Sequence, residues 1–351
     1  MFSTSLLSAL IILVVTATAA CAAPGLALKV TVPDAIEGVE NLRAITTLTN
    51  TGDQTLKLLN DPRGALHTFP TNAFAITTEN GASPSFTGMK VKYSPGRAAK
   101  LTDPSLFTVL APGESTSLTH DLSSAYNFTS TGHRSYHIAA SNLFHFVDAN
   151  NEISAIRADA QGYDFTLTGG KLAVVRPVLG RDAQFHGCSS SQRSALATAA
   201  PYANAYAASA LAYLRRHPFT STPRYKTWFG TYTRAGHALV REHFAHIAAH
   251  NYTRFTYDCT CTDPGVYAMV DPGELDTVYL CGAFWDAPRT GTDSQAGTLI
   301  HEASHFTANG GTDDYVYGQH GAGDLAASDP DEAVMNADSH EYFAENSPAL
   351  S

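Results

Sequence analysis

Between residues 24 and 178, short apolar-rich runs alternate with turn signals. "LALKVTV", "LRAITTLTN" and "QTLKLL" are rich in Val, Ile, Leu and Thr, and Asn50-Thr51-Gly52-Asp53 separates the last two. Pro112-Gly113 and Gly169-Gly170 mark later reversals, the second ahead of the strand-like "KLAVVRPV". Runs of this length and spacing predict a small antiparallel β-sandwich. From Ser189 the pattern changes. "SSSQRSALATAAPYANAYAASALAYLRRH" is rich in helix formers behind a Ser-rich start, and predicts one long helix in spite of Pro201. "AGHALVREHFAHIAAH" predicts a second helix, and "TYDCTCTDPGVYAMVDPGELDTVYLCGAFW" returns to strands and turns. From about Gln295 to the end the chain reads as mostly helical. This second region is therefore α+β, with helices around a small sheet.

The start of the chain adds a third segment. Leu6–Val15 is an apolar run followed by small residues at Ala17-Thr18-Ala19 and Ala20-Cys21-Ala22, the form of a secretory signal peptide over residues 1–19. It is too short to cross a bilayer, and no later stretch is long enough either. A secreted, extracellular protein with no membrane partner is expected. The sandwich-like region then spans 20–183 and the α+β region 184–351, joined by "VRPVLGRDAQFHGC". A cut near residues 181–184 releases a domain of ordinary size.

Cysteine usage fits export. Cys21 lies at the signal-peptide boundary, upstream of the cut near 181–184, and Cys188, Cys259, Cys261 and Cys281 remain in the released domain, enough for two disulfides with three possible connectivities. On a strand, Cys259 and Cys261 face the same side but are too close to bridge, so one reaches to Cys188 and the other to Cys281. The C-x-C spacing does not suit a Cys-based zinc site. N-x-S/T sequons at Asn127 and Asn251 are compatible with the same compartment.

Charge is unevenly placed. Residues 1–181 hold 13 Lys+Arg against 13 Asp+Glu; residues 182–351 hold 9 against 19, so the whole net charge of −10 lies in the second part. Nucleic acid is an unsuitable partner for such a surface, and a cationic ligand suits it. The bases are skewed too. Residues 182–351 contain eight Arg and one Lys, Lys226, whereas the first 181 contain six Lys.

The chemistry concentrates in "GTLIHEASHFTANGGTDDYVYG", residues 297–318. If "SQAGTLIHEASHFTA" is a helix, Ala296, Leu299, Ile300, Ala303 and Phe306 form one apolar stripe, and His301 and His305 stand one turn apart on another face. That spacing brings both imidazoles to one metal ion. Glu302 beside them reaches a metal-bound water without taking a coordination site. Two His leave a catalytic zinc site one protein ligand short. A metzincin pattern fails, because Ala308 and Gly311 stand where Gly and His are needed. A gluzincin pattern takes a Glu from a later helix, here Glu332 or Glu341. A third route is local: the Asn309-Gly310-Gly311 turn returns Asp313 and Asp314 toward the helix, and spacing does not choose between them. Further on, Asp338 and Glu341 share one helical face, and paired carboxylates hold an ammonium group by charge and hydrogen bonds. His243, His246 and His250 have helix-compatible gaps but no carboxylate arranged with them, and read as packing or surface residues.

H-E-x-x-H followed by G-T-x-D-Y-x-Y-G resembles the aspzincin, or deuterolysin, family of metallopeptidases. "TPRYKTWFGTYT", "YDCTCT", "TVYLCGAFW", "TGTDSQAGTLIHEASHF" and "NADSHEYFAENSPA" are similar to its fungal lysine-specific branch. The resemblance covers about 184–351. It implies a zincin-like α+β domain with one zinc ion held by His301, His305 and Asp314, and Glu302 as general base. It also implies Tyr317 on the oxyanion, disulfides 188–259 and 261–281, and Asp338 with Glu341 as the pocket for a substrate Lys. Cleavage on the amino side of Lys in proteins and peptides is then expected. The all-β, sandwich-like 20–183 becomes a removable propeptide and a partner of its own enzyme, and the mature protein is expected to be a monomer.

Overall fold

The computed structural model describes residues 24–175 and 184–351. The expected signal peptide, Cys21, most of the joining segment and the expected cut near 181–184 lie outside the described residues.

In the N-terminal region the strands in chain order are β1 (Leu26–Thr31), β2 (Ala35–Glu37), β3 (Arg43–Asn50), β4 (Leu56–Leu59) and β5 (Phe74–Thr77). They continue as β6 (Ser85–Phe86), β7 (Lys90–Tyr93), β8 (Phe107–Leu110), β9 (Ser115–Asp121) and β10 (Tyr126–Asn127). The series closes with β11 (Ser135–Ala140), β12 (Leu143–Val147), β13 (Ile153–Arg157), β14 (Asp159–Gln161) and β15 (Tyr163–Gly169). Three four-stranded sheets result, ordered β14-β1-β3-β9, β2-β15-β11-β5 and β13-β12-β4-β8. Alternation in the sequence sets which side chains go in: Leu26, Leu28 and Val30 of β1 are buried and the residues between them are not. With Leu58, Phe128 and Ile138 they form a core of their own.

Two expectations need correction here. The sheets are not wholly antiparallel, since β1 pairs with β14 and β2 with β15 in parallel. The part of "KLAVVRPV" that is described, Lys171–Val175, forms no strand. Gly170, at φ +71°, follows β15, and among the described residues the chain beyond it is held by Val39 N–H donating to Lys171 O and Phe128 N–H to Leu172 O.

The C-terminal region carries β16 (Phe185–His186), β17 (Thr256–Asp258), β18 (Val266–Val270) and β19 (Thr277–Leu280). These form a five-stranded sheet in the order β16-β17-β19-β18-β7, so its last strand comes from the N-terminal region. A one-turn helix, α1 (Pro95–Ala98), follows that visiting strand. Around the sheet lie α2 (Ser190–Arg216), α3 (Pro223–Phe229), α4 (Arg234–Ile247), α5 (Gly282–Asp286) and α6 (Gln295–His305). The chain ends with α7 (Gly318–Ser328), α8 (Pro330–Ala333) and α9 (Ala337–Glu345).

The long helix forms as expected. Ser189 caps it in a capping box with Gln192, and Pro201 lies inside it with its ring exposed. Ala199, Ala203, Ala207 and Ala210 make a buried stripe narrow enough for α2 to pack closely on α6 and α9. Two disulfides pin the small sheet: Cys188–Cys259 closes 71 residues and Cys261–Cys281 closes 20. Loop-closure entropy gives them about 4 and about 3 kcal/mol. A third apolar cluster joins the two regions, with Leu59, Val91, Tyr93 and Val147 on one side and Val266 and Cys281 on the other.

Candidate active site

Helix α6 is wholly buried from Gln295 to His305. Its N-terminus is fixed by Ser294, whose hydroxyl accepts from Gly297 N–H at 2.9 Å and donates to Glu345 at 2.7 Å. His301 and His305 project from consecutive turns, and their Nε2 atoms lie 3.2 Å apart. Phe306 ends the helix. Its carbonyl accepts from the N–H groups of Asn309, Gly310 and Gly311, and Gly311 takes φ +58°, a left-handed value that favours glycine. The returning chain docks on the helix it left: Thr312 N–H donates to Ser304 O at 3.2 Å, and His305 Nδ1 lies 2.9 Å from Thr312 O.

That reversal carries Asp314 into the site. Its Oδ1 lies 3.1 Å from His301 Nε2 and 3.4 Å from His305 Nε2. Asp313 points away, half exposed, toward Lys90. Glu332 is exposed on α8, and its N–H donates to Asp329. Glu341 is buried but faces the other ring nitrogen of His301, 3.4 Å from Nδ1. Of the candidates for third ligand, only Asp314 meets both Nε2 atoms.

The three groups fit a zinc ion. Ligands at 2.0–2.2 Å in a tetrahedral arrangement stand about 3.3 Å apart, and the three separations here are 3.1, 3.2 and 3.4 Å. The donor set is borderline-hard nitrogen and oxygen, which suits that metal. Bonding of His305 Nδ1 to Thr312 O leaves Nε2 as the free ligand atom, and Asp338 Oδ1, 2.8 Å from His301 Nδ1, backs the other ring. Glu302 is 0 % exposed, and neither of its carboxylate oxygens has a hydrogen-bond partner among the described residues. A buried polar group without a partner is costly, so these oxygens await a water or substrate. Burial pushes the Glu302 carboxyl up to about 8, against the pull of His301.

Tyr317, at the start of α7, directs its hydroxyl to the carbonyl of Val91 in the visiting strand β7. Burial, with Asp314 close by, holds that hydroxyl protonated well above its ordinary range. The Arg63 guanidinium lies over the Tyr317 ring at 4.2 Å and donates to Asp314 O at 3.3 Å. Asp338 and Glu341 share one face of α9 and are 1 % and 0 % exposed. Between them sits the ammonium of Lys92, in contact with Glu341, 3.5 Å from Asp338 and 3.9 Å from Asp293. Burial opposes its charge, yet the three carboxylates hold its pKa well above the ordinary lysine value. The rings of Tyr267 and Tyr342 flank it at 5.3 and 5.8 Å.

His301, Glu302, His305, Asp314, Tyr317, Asp338 and Glu341 thus lie in one place, Asp313 and Glu332 do not, and the cysteines pair as the resemblance implied. Asp293, Tyr267 and Tyr342 were missed. Asp293 stands before the Ser294 cap and reads as turn chemistry; its φ of +52°, unusual outside glycine, is visible only in the fold. Among the described residues the three outlying histidines join no cluster of metal-ligating side chains, and they brace the site. His243 stacks on His340, while His246 and His250 hold Asn309 at the reversal.

The two adjacent aspartates give a clean test. Asp314→Ala is expected to lower zinc affinity by more than about 100-fold, since even supporting residues of such sites are worth that much. Asp313→Ala leaves it unchanged, as read by metal analysis after dialysis against a weak chelator.

A family model described as lysine-specific metallo-endopeptidase, of the aspzincin group, matches residues 214–345. The peptidyl-Lys metalloendopeptidase of Grifola frondosa is 56 % identical over 347 residues, 98 % of this chain and 99 % of that one. The peptidyl-Lys metalloendopeptidase of Pleurotus ostreatus is 56 % identical over 168 residues, which are 48 % of this chain and 99 % of the relative. Among solved structures, a zinc peptidase from Grifola frondosa is 58 % identical, covering 47 % of this chain and 100 % of its own, with a TM-score of 0.46.

Proposed function

We propose that this chain, a zinc metalloendopeptidase of the aspzincin family and its peptidyl-Lys branch, cleaves on the amino side of Lys, and that Glu302, Tyr317 and the Asp338–Glu341 pair carry its chemistry. His301, His305 and Asp314 would hold the zinc, which when bound would supply a Lewis acid for the scissile carbonyl and for a water. Glu302 takes the proton of the attacking water and passes it to the leaving amine. Its unpaired oxygens and raised pKa suit that double duty. The Tyr317 hydroxyl donates to the carbonyl oxygen as charge develops there. Asp338 and Glu341 receive the ammonium of the residue after the cut, and a guanidinium, longer and wider, does not fit the same buried space.

One observation carries the reading. His301 faces the ligand cluster with Nε2 and the carboxylate pair with Nδ1, so the lysine pocket begins on the far side of a single imidazole ring.

Residues 1–19 act as a signal peptide and 20–183 as a sandwich-like propeptide, leaving 184–351 as the secreted, monomeric enzyme. The separate core of the N-terminal region supports this division. So does the Pleurotus relative, matched over 168 residues, the length of 184–351. Lysine placement agrees, because a mature domain with Lys226 alone offers its own activity little to cut.

Digestion of a protein mixture with the processed enzyme, followed by sequencing of new N-termini, tests the assignment. Lys is expected at the first position of most fragments, and chelator is expected to abolish them. Fragments beginning equally with Arg or with apolar residues would refute the role of the carboxylate pair.

A further inference from the structure

The lysine pocket is filled by the chain's own N-terminal region. Strand β7 runs antiparallel along the edge of β18, with Lys92 opposite Ala268 and Val91 opposite Met269. Lys92 is 3 % exposed, its ammonium against Glu341 and 3.5 Å from Asp338. One residue earlier, the Val91 carbonyl accepts from the Tyr317 hydroxyl, and Val91 N–H donates to Asp314 Oδ2 at 3.3 Å. A single peptide bond thus meets two separate parts of the machinery. Its carbonyl lies on the group assigned to the oxyanion, and the side chain after it lies in the pocket assigned to specificity.

We propose that β7 occupies the site as a substrate does, with Lys92 in the lysine pocket and Val91–Lys92 as the bond presented for hydrolysis, so that the N-terminal region blocks the site in cis until that bond is cut. The inference rests on the pocket reading above and extends it to a named segment. Other charges hold the strand in place: Lys90 pairs with Asp313 at 2.6 Å and Arg97 with Asp286 at 2.7 Å. A cation is needed there in any case, because two buried carboxylates without one are strongly unfavourable. Hydrolysis adds the hydroxyl of water to the Val91 carbonyl carbon, breaks the bond to the Lys92 nitrogen and delivers a proton to that nitrogen. A Val91 carboxylate and a chain beginning at Lys92 result. The strand then no longer runs unbroken through the cleft, and its two ends leave independently.

A full-length Glu302→Gln protein, loaded with zinc, keeps the chain whole and permits a binding test. Titrated with a fluorescent Lys-containing peptide, it is expected to bind at least about tenfold more weakly than the same protein carrying Lys92→Met, since a tethered competitor acts at millimolar effective concentration. Equal binding by two folded proteins overturns the proposal. A second measurement needs no substitution at Lys92. Zinc is added to zinc-free wild-type chain, and the earliest fragments are sequenced from their N-termini. A fragment starting Lys92-Tyr93-Ser94 is expected among them; early cuts before other lysines with none at Lys92 also overturn it. If the processed enzyme cuts no peptide before Lys, the pocket reading itself has failed. Lys-directed cutting by the processed enzyme, with free access of peptide to the full-length chain, removes only the role given to β7.

Discussion

Glu302→Gln is expected to lower kcat/KM on a Lys-containing peptide by about 10²–10⁴-fold, the span usual for loss of a positioned general base. Bound zinc should stay at one equivalent, because Glu302 is not among the three groups that converge at 3.1–3.4 Å. Thermal stability should not fall, since the amide replaces a 0 % exposed carboxylate that has no partner among the described residues. The three readouts separate the possible outcomes. Loss of activity with loss of metal would make Glu302 a ligand. Activity within a few-fold of wild type would remove it from the mechanism altogether.

Neutralising the proposed lysine pocket is the second large effect, and its two carboxylates should behave differently. Glu341→Gln takes one charge from a buried ammonium site, a change worth about 2–5 kcal/mol, or roughly 30- to 5000-fold in kcat/KM for Lys at the cleavage site. Zinc content should not change. Asp338→Asn removes a similar charge and also alters the group 2.8 Å from His301 Nδ1. It should therefore lose about 10- to 100-fold in zinc affinity as well, the usual cost of disturbing a residue that backs a metal-bound imidazole. Asp338 also accepts from Gly318 N–H at 2.6 Å, so the start of α7, which carries Tyr317, shifts with it. Parallel kinetics on Lys and Arg peptides with metal analysis would separate the two variants. Identical behaviour would mean that Asp338 does not couple pocket to metal.

The sequence disclosed the local parts of this site well. His301, Glu302 and His305 are legible because one helix sets their spacing, and the Gly310-Gly311 reversal needs no partner to form. Residue spacing left Asp313 and Asp314 equivalent. What separates them is a tertiary fact, the docking of Thr312 on Ser304 and His305, which turns one side chain inward and leaves the other half exposed against Lys90. Asp338 and Glu341 read from sequence as a carboxylate pair on one helix face, and only the packing of α9 against α6 buries them beside His301. In the first region, alternation located β1 and β3, but not the parallel pairings or the end of strand structure at Gly170, which depend on which sheet edges remain free. The contribution of β7 to the other region's sheet was invisible, because four residues of mixed polarity carry no mark of the partner they join.

On the proposed substrate-like placement of β7, its pairing with β18 also limits what the enzyme can attack. Any polypeptide taking that berth must lie flat as a ribbon for several residues and surrender its own main-chain partners to do so. Lys226 illustrates the restriction: it is solvent-facing, yet it belongs to α3, whose coil would have to unwind first. Cuts in native proteins should therefore cluster in tails and slack connections, with lysines in well-formed helices spared until denaturant or heat frees them.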